Sequence, residues 1–379
     1  MRVAILGAYS LQNNRISGGP EAVVVQLAEG LRQLPGVEVH VVTQSGETNA
    51  VTQRNGITVH TVPLRRVPRW TFLRADARAL ARVVRAIAPD VAHAHSAGAY
   101  GDAALLSGAA ALITVHGVIS QEAAVFRQYG LSWREALSWR YEEWYERRCL
   151  ARARHVVAIS PYVAEFYRSM TSADMYLVEN PVGDTYFTLP AATEPLTVLC
   201  AARIVHRKNI LGLLHAFAQV QRALPQAQLR LAGEEHSEPA YAAECRAFVQ
   251  ANGLASAVSF LGWLDEAAMQ AEYSRCACLA LPSWQETAPV AIAQAMAAGK
   301  AVVAADVGGV RALLHDGAAG LLVQPQDTGG LARALQQLLQ DNALSQRLGQ
   351  AGRREAEARF RTTVVARRTL DVYRTVNSK

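Results

Sequence analysis

Short apolar runs rich in Val, Ile, Leu and Ala recur along this chain and alternate with longer stretches of helical period. Val3 to Leu6, Val37 to Thr43, Ile57 to Val62, Val91 to His95, Leu112 to Val115 and His155 to Ile159 read as strands, with amphipathic segments between most of them. A second series follows at Leu196 to Ala201, Gln228 to Ala232, Val258 to Leu261, Cys278 to Leu281, Ala301 to Ala304 and Gly320 to Val323. Strands this continuously apolar are buried on both faces, and regular strand–helix alternation supplies the helices that cover them. The pattern predicts an α/β chain built on two doubly wound parallel sheets. Periodicity lapses over 184–195, DTYFTLPAATEP, which holds two prolines, and the seam is placed there. Residues 1–187 are expected to form a first domain and 188–360 a second, with a helix of about 361–379 packing back on the first.

Length supports the division, since 379 residues exceed what one core usually organises. No run of about eighteen uncharged apolar residues occurs, and the opening MRVAILGAY is too short and too lightly flanked for a signal peptide. A cytoplasmic protein is expected. Cys149, Cys200, Cys245, Cys276 and Cys278 are odd in number and lack metal-ligand spacing, so they are read as buried or inert. Net charge is +6, but no helix-turn-helix, zinc-finger or RNP pattern accompanies it, and nucleic acid is not an expected partner. Of 38 basic residues only Lys208, Lys300 and Lys379 are lysine, which makes each a choice against the bias of the chain.

The chemistry concentrates between Leu281 and Gly309. Glu286 precedes Thr287-Ala288-Pro289, a hydroxyl cap candidate and a proline suited to a first turn, then an alanine-rich helix closed by Gly299. A helix start of this kind offers N–H groups to a phosphate, while Glu286 can accept hydrogen bonds from neutral hydroxyls. Upstream, CAARIVHRKNI carries Arg203 and Lys208 at a spacing that can bracket a diphosphate, the arginine by paired hydrogen bonds and the lysine as a counter-ion. In the first half, Gly18-Gly19-Pro20-Glu21 lies between the first strand and a helix through Leu31, where paired glycines admit a close ligand or simply form a turn. His93-Ala94-His95 and His116-Gly117 end two strands; no spacing suggests a third metal ligand, and His93 reads as structural.

These motifs resemble, in order and separation over nearly the whole chain, the retaining family 4 glycosyltransferases of GT-B fold. The family pattern of Glu, seven residues, Glu begins at Glu286 and meets Gln294 at its second position. The Arg-x-x-x-x-Lys pair falls on Arg203 and Lys208, the Gly-Gly-x-Glu loop on Gly18 and Gly19, and the Thr-x-His-Gly histidine on His116. Asn180-Pro181-Val182, Gly233-Glu234, Phe260-Leu261-Gly262, Gly308-Gly309, Asp316-Gly317 and Gly320 match further landmarks. The resemblance implies two Rossmann-like domains facing a central cleft, the first for a glycan, lipid-linked or small-molecule acceptor and the second for a nucleotide sugar. It implies that Arg203, Lys208, Gly18, Gly19, Gly233 and the helix start at Thr287, Ala288 and Pro289 hold the diphosphate. Glu286 and His116 would then orient the donor sugar and Gln294 the ribose. Front-face attack on a nucleotide-diphosphate sugar is implied, with the leaving phosphate taking the proton and no separate cofactor.

Gln294 departs from the family by losing a charge and gaining an amide donor, and Ala312 stands where the family has a Glu. These departures keep two alternatives open: a nucleotide-sugar-binding subunit of a glycan-assembly complex, or a GT-B phosphorylase or epimerase. No Asp-x-Asp occurs, so no metal is implied, and neither G-x-G-x-x-G nor a Walker lysine is present. Arg74, Arg78, Arg82 and Arg85 share a helical face opposite Leu73, Ala77, Leu80, Val84 and Ile87, after Arg65, Arg66, Arg69, Trp70 and Phe72. That face reads as solvated, with peripheral contact to an anionic membrane as the alternative. Trp133, Trp139, Trp144 and Tyr145 are expected in the core, with acceptor or membrane contact as their alternative.

Overall fold

A computed structural model describes residues 1–9, 18–45, 48–63, 69–130, 132–190 and 192–378, with backbone alone for 69–74. The chain divides into two compact units, Met1–Pro181 with Arg361–Lys379, and Val182–Phe360.

Among the described residues the first unit holds eight strands: β1 (Arg2–Leu6), β2 (Glu38–Gln44), β3 (Ala50–Arg54), β4 (Ile57–Val62), β5 (Val91–Ala94), β6 (Ala110–Val115), β7 (His155–Ala158) and β8 (Asp174–Leu177). They lie in the order β3-β4-β2-β1-β5-β6-β7-β8, parallel except where β3 runs antiparallel to β4. Asn55 and Gly56 both take positive φ between β3 and β4, the twist a tight hairpin turn requires. Val3 pairs with Val39 on one side and Val91 on the other, so the chain leaves β1 toward one edge and returns through β5 toward the opposite edge. Carboxyl ends at such a switch point form the ligand crevice of a doubly wound sheet. The helix Thr362–Asn377 belongs to this unit and adds Val365, Ala366, Leu370, Tyr373 and Val376 to its core.

The second unit is a six-stranded, wholly parallel sheet: β9 (Thr197–Ala201), β10 (Gln228–Ala232), β11 (Val258–Gly262), β12 (Cys278–Leu281), β13 (Ala301–Ala305) and β14 (Leu321–Val323). Its order β11-β10-β9-β12-β13-β14 puts the switch point between β9 and β12. Val182, Tyr186 and Phe187 lie in this unit's core, so the chain passes between units before the proline-rich stretch rather than within it. Three buried aromatic and branched side chains hold that segment; a lapse of periodicity marked the loop, not the change of core.

All five cysteines are unpaired and buried, and burial pushes the thiols of Cys200, Cys245 and Cys276 up to about 12. Lys300 donates to the Ser274 carbonyl at 2.7 Å and to Thr193 Oγ1 at 2.8 Å, tying the incoming chain to the second unit. Ala77, Leu80, Val84 and Ile87 are buried, while Arg78, Arg82 and Arg85 are exposed. Arg65 and Arg66 lie outside the described residues, as do the side chains of Arg69, Trp70, Phe72, Leu73 and Arg74. No described helix is long and apolar enough to cross a membrane.

Candidate functional site

In the second unit, the chain leaving β9 and the chain leaving β12 are stitched together. Trp284 N donates to the Arg207 carbonyl at 2.9 Å, and Asn209 Nδ2 to the Pro282 carbonyl at 3.1 Å. Arg207 Nη1 donates to the Gln285 carbonyl at 3.0 Å and lies 3.8 Å from Glu286 Oε2. Lys208 Nζ is bonded to Glu286 Oε1, and both side chains are almost wholly buried. Arg203 behaves differently: its side chain is 49% exposed, 4.0 Å from Glu234. The two residues expected to bracket a diphosphate thus divide, Lys208 turned inward on Glu286 and Arg203 left accessible. Arg207 is a site residue the sequence reading passed over, although the run of three basic residues His206-Arg207-Lys208 was its signal.

Burial alone would push the Glu286 carboxyl up, but Lys208 and Arg207 outweigh it and hold the group below its usual range. Burial likewise pulls the Lys208 ammonium down, against the opposing pull of Glu286. Arg203, Arg207 and Lys208 face the carboxylates of Glu234 and Glu286, one positive charge in excess. That excess suits an anion.

The helix after this loop runs Val290–Ala297, and Pro289, not Thr287, is its cap. The expected cap fails for a local reason: Ala288 precedes a proline and is sterically held out of helical conformation, so no helix can begin at Thr287. Pro289, at the cap position, offers no side-chain acceptor to the first turn. Thr287 is buried. Gln294 lies one turn in, where Tyr273 Oη donates to its Oε1 at 3.1 Å and Tyr186 shares a further hydrogen bond with it. Gly233 also has a packing reason for its identity, because a Cβ there would sit 1.9 Å from the Ala202 carbonyl oxygen. Gly309 N donates to the Glu286 carbonyl at 3.2 Å, which fixes the backbone carrying that carboxylate.

In the first unit, Gly18 caps the helix Gly19–Arg32, and among the described residues other than its chain neighbours no atom lies within 4 Å of where its Cβ would be. His116 follows β6 and His95 follows β5, and His95 Nδ1 and His116 Nε2 are 2.9 Å apart. His93 is bonded at both ring nitrogens, to Tyr373 Oη at 2.7 Å and Thr114 Oγ1 at 2.6 Å, a satisfied core histidine. Burial lowers all three imidazoles, His116 to about 4 and His93 to about 3. They are neutral at physiological pH. Tyr145 is buried and Trp139 stacks on Phe126 at 5.3 Å, but Trp133 and Trp144 are exposed, contrary to the expected core placement. Both stand on the outward face of the helix Trp133–Leu150, whose inward positions go to Tyr145, Glu146, Cys149 and Leu150.

Two doubly wound units, each with polar groups at its switch point, place the protein in the GT-B class, and known proteins agree. The family model for glycosyl transferases group 1 matches residues 186–355, and that for glycosyltransferase family 4 matches residues 17–185. The α-maltose-1-phosphate synthase of Mycolicibacterium smegmatis is 29% identical, over 96% of this chain and 97% of its own. Sucrose-phosphate synthase from Thermosynechococcus elongatus shares the fold at a TM-score of 0.82 and 25% identity, covering 100% of this chain and 99% of that one. Anabaena HepE, solved in complex with UDP and glucose, has a TM-score of 0.75 at 19% identity, covering 98% of this chain and 99% of its own. The chain belongs to the family 4 glycosyltransferases, and its activity is glycosyl transfer.

Proposed function

We propose that the protein transfers a sugar, with retention of anomeric configuration and without a metal, from a nucleotide-diphosphate sugar to a small sugar acceptor bearing phosphate. The observation that carries the donor is the excess of positive charge at the β9–β12 switch point, on the loop that leads into the helix Val290–Ala297. As the anomeric C–O bond breaks, negative charge grows on the departing diphosphate, and fixed cations stabilise it where it develops. Lys208 carries three N–H donors, so it can keep Glu286 and still bond a phosphate oxygen. Arg203, accessible and loosely paired, closes on the other side. These cations supply the counter-charge that a divalent ion supplies elsewhere. Glu286 accepts from sugar hydroxyls, His116 contacts the sugar, Gly18 and Gly19 line the approach, and the acceptor proton passes to the leaving phosphate oxygen.

Support for a phosphorylated acceptor comes from two of the three near-full-length matches, whose names each place a sugar phosphate among what those enzymes make. The test is transfer from UDP-, GDP- and ADP-sugars to sugar phosphates in EDTA, with the product's anomeric configuration read by NMR. Inversion, or activity silenced by EDTA and restored by magnesium, would overturn the reading. Arg203→Ala is expected to weaken nucleoside diphosphate binding by about 1.5 to 3 kcal/mol, the scale of a charge-assisted hydrogen bond, with unchanged stability.

A second reading, of a lipid-linked acceptor at an anionic membrane face, is favoured by one surface. Trp133, Leu137 and Trp144 are exposed at 71%, 55% and 49% on one helix, with Arg140 and Arg147 also exposed along it. Tryptophan and arginine together suit the headgroup region. Co-sedimentation with phosphatidylglycerol vesicles that is lost in Trp133→Ser/Trp144→Ser supports this reading, and binding indifferent to both changes removes it.

A further inference from the structure

The three histidines of the first unit are not equivalent. His93 has both nitrogens bonded to hydroxyls, and its neighbours account for it. His95 is also buried, 6% exposed, yet its Nε2 has no partner among the described residues, and its Nδ1 lies 2.9 Å from His116 Nε2. An apolar side chain of similar volume would fill the same space without burying an unpaired nitrogen. The imidazole is retained at a cost, and what offsets that cost is its bond to His116.

We propose that His95 is a positioning residue that fixes His116 as the tautomer protonated at Nδ1. Two neutral rings sharing one hydrogen bond have two ways to share it. If His116 Nε2–H donates, His95 must carry its own proton on Nε2, and a buried N–H is left with no acceptor. If His95 Nδ1–H donates instead, its Nε2 is a bare lone pair, and the unpaired group is an acceptor rather than a donor. Buried donors without partners are the rarer and costlier of the two in folded proteins. The second arrangement follows. His116 then accepts at Nε2 and keeps a proton at Nδ1.

The consequence is functional. A neutral imidazole with its proton pinned to Nδ1 is a fixed hydrogen-bond donor, suited to an uncharged oxygen such as a sugar hydroxyl. Burial of the pair keeps the donor from titrating in the physiological range, so the contact carries no pH dependence of its own. This last step rests on the reading that His116 faces the donor sugar; the tautomer assignment does not.

Long-range 15N–1H NMR on histidine-labelled protein, with His116 assigned by its loss in His116→Gln, reads the tautomer directly. The expected pattern is Nδ1–H for His116 in the unchanged protein. An Nε2–H pattern there overturns the proposal whatever any variant does. His95→Asn keeps an N–H donor near the original Nδ1 and should preserve the His116 tautomer, whereas His95→Ala should release it to a mixture. A His116 tautomer unaltered in folded His95→Ala also overturns it. In transfer assays His95→Ala should lower kcat/KM roughly tenfold, the equivalent of one lost neutral hydrogen bond, with partial rescue in His95→Asn. His116→Ala with unaltered donor kinetics would sink the sugar-facing reading while leaving the NMR result to decide the tautomer.

Discussion

At the switch point of the second unit, Lys208 and Glu286 are buried, bonded to one another and flanked by Arg207. At the corresponding point of the first unit, His95 and His116 are bonded to one another and uncharged. Both units are doubly wound sheets, so the fold does not impose the difference. Burying charge costs several kcal/mol per ion and is repaid only by close pairing, whereas burying a neutral ring costs little beyond its hydrogen bonds. A protein that accepts the larger cost at one switch point and avoids it at the other is prepared for two kinds of ligand group. The charged arrangement suits a diphosphate; the neutral one suits hydroxyls.

The contrast breaks most directly through stability. Glu286→Leu strands Lys208 and Arg207 without their carboxylate and is expected to cost about 3 to 5 kcal/mol in urea denaturation. Lys208→Met added to Glu286→Leu should recover most of that loss, since a buried pair replaced by apolar groups of similar volume is often neutral. His95→Leu, which strands no charge, should cost less than Glu286→Leu. Equal losses in the two variants would remove the distinction drawn between the units.

An exception in the first unit sharpens the comparison. Glu146 is 6% exposed, and burial, with Glu122 and Glu143 adding repulsion, pushes its carboxyl up to about 7 despite a bond from Tyr167. Its folded value lies above the usual 4.5, so its contribution is fully present below that value and is lost as pH rises through 7. The lowered histidines act oppositely, their contribution present above 6.5 and lost as pH falls towards 4. Three lowered imidazoles outweigh one raised carboxyl, so wild-type stability should still fall as pH falls between these limits, though less steeply than the histidines alone would give. Glu146→Gln removes one side of the balance: the variant should gain on the order of 1 to 3 kcal/mol at pH 8, nothing near pH 4.5, and show a steeper acid loss. A difference from wild type that is the same at both pH values would mean Glu146 is an ordinary carboxylate.

How much of this was legible in the sequence follows the same divide. The strands visible as apolar runs, β1 and β9 among them, appear at their expected places because both faces of each are buried. Strands β3 and β8 went unseen, since β3 is an exposed polar AVTQR on the sheet edge and β8 a half-exposed DMYL on the other. Neither buries enough to leave an apolar pattern. At the site, Glu286, Lys208 and Arg203 were readable because charged residues at fixed spacing are rare signals. Arg207 is hidden in the sequence by its neighbour, and Thr287 reads as a cap only where the proline two residues on is left out of account. His95 could not be read at all, as its significance lies in one unpaired nitrogen that only the packed structure reveals.

The smallest effect concerns Gln294, one of the two positions where this chain leaves the family pattern. Its amide sits between two buried tyrosines, accepting from Tyr273 and bonded to Tyr186, both of whose hydroxyls burial pushes well above their usual range. Gln294→Glu replaces the amide by an acceptor to which both hydroxyls can donate, so the site should tolerate the carboxylate with less than about 1 kcal/mol of lost stability. An ionised acceptor binds a ribose hydroxyl roughly twice as strongly as a neutral one, but its charge lies on the helix proposed to face the diphosphate and would oppose that gain. Affinity for UDP, GDP or ADP should rise only a few-fold in Gln294→Glu and fall by a similar factor in Gln294→Ala, as read by calorimetry. The free nucleosides, which lack the diphosphate, should show the larger gain from Glu because the repulsion is absent. If neither substitution alters nucleotide or nucleoside affinity, Gln294 is a brace for Tyr186 and Tyr273 alone, and the ribose is held elsewhere in the second unit.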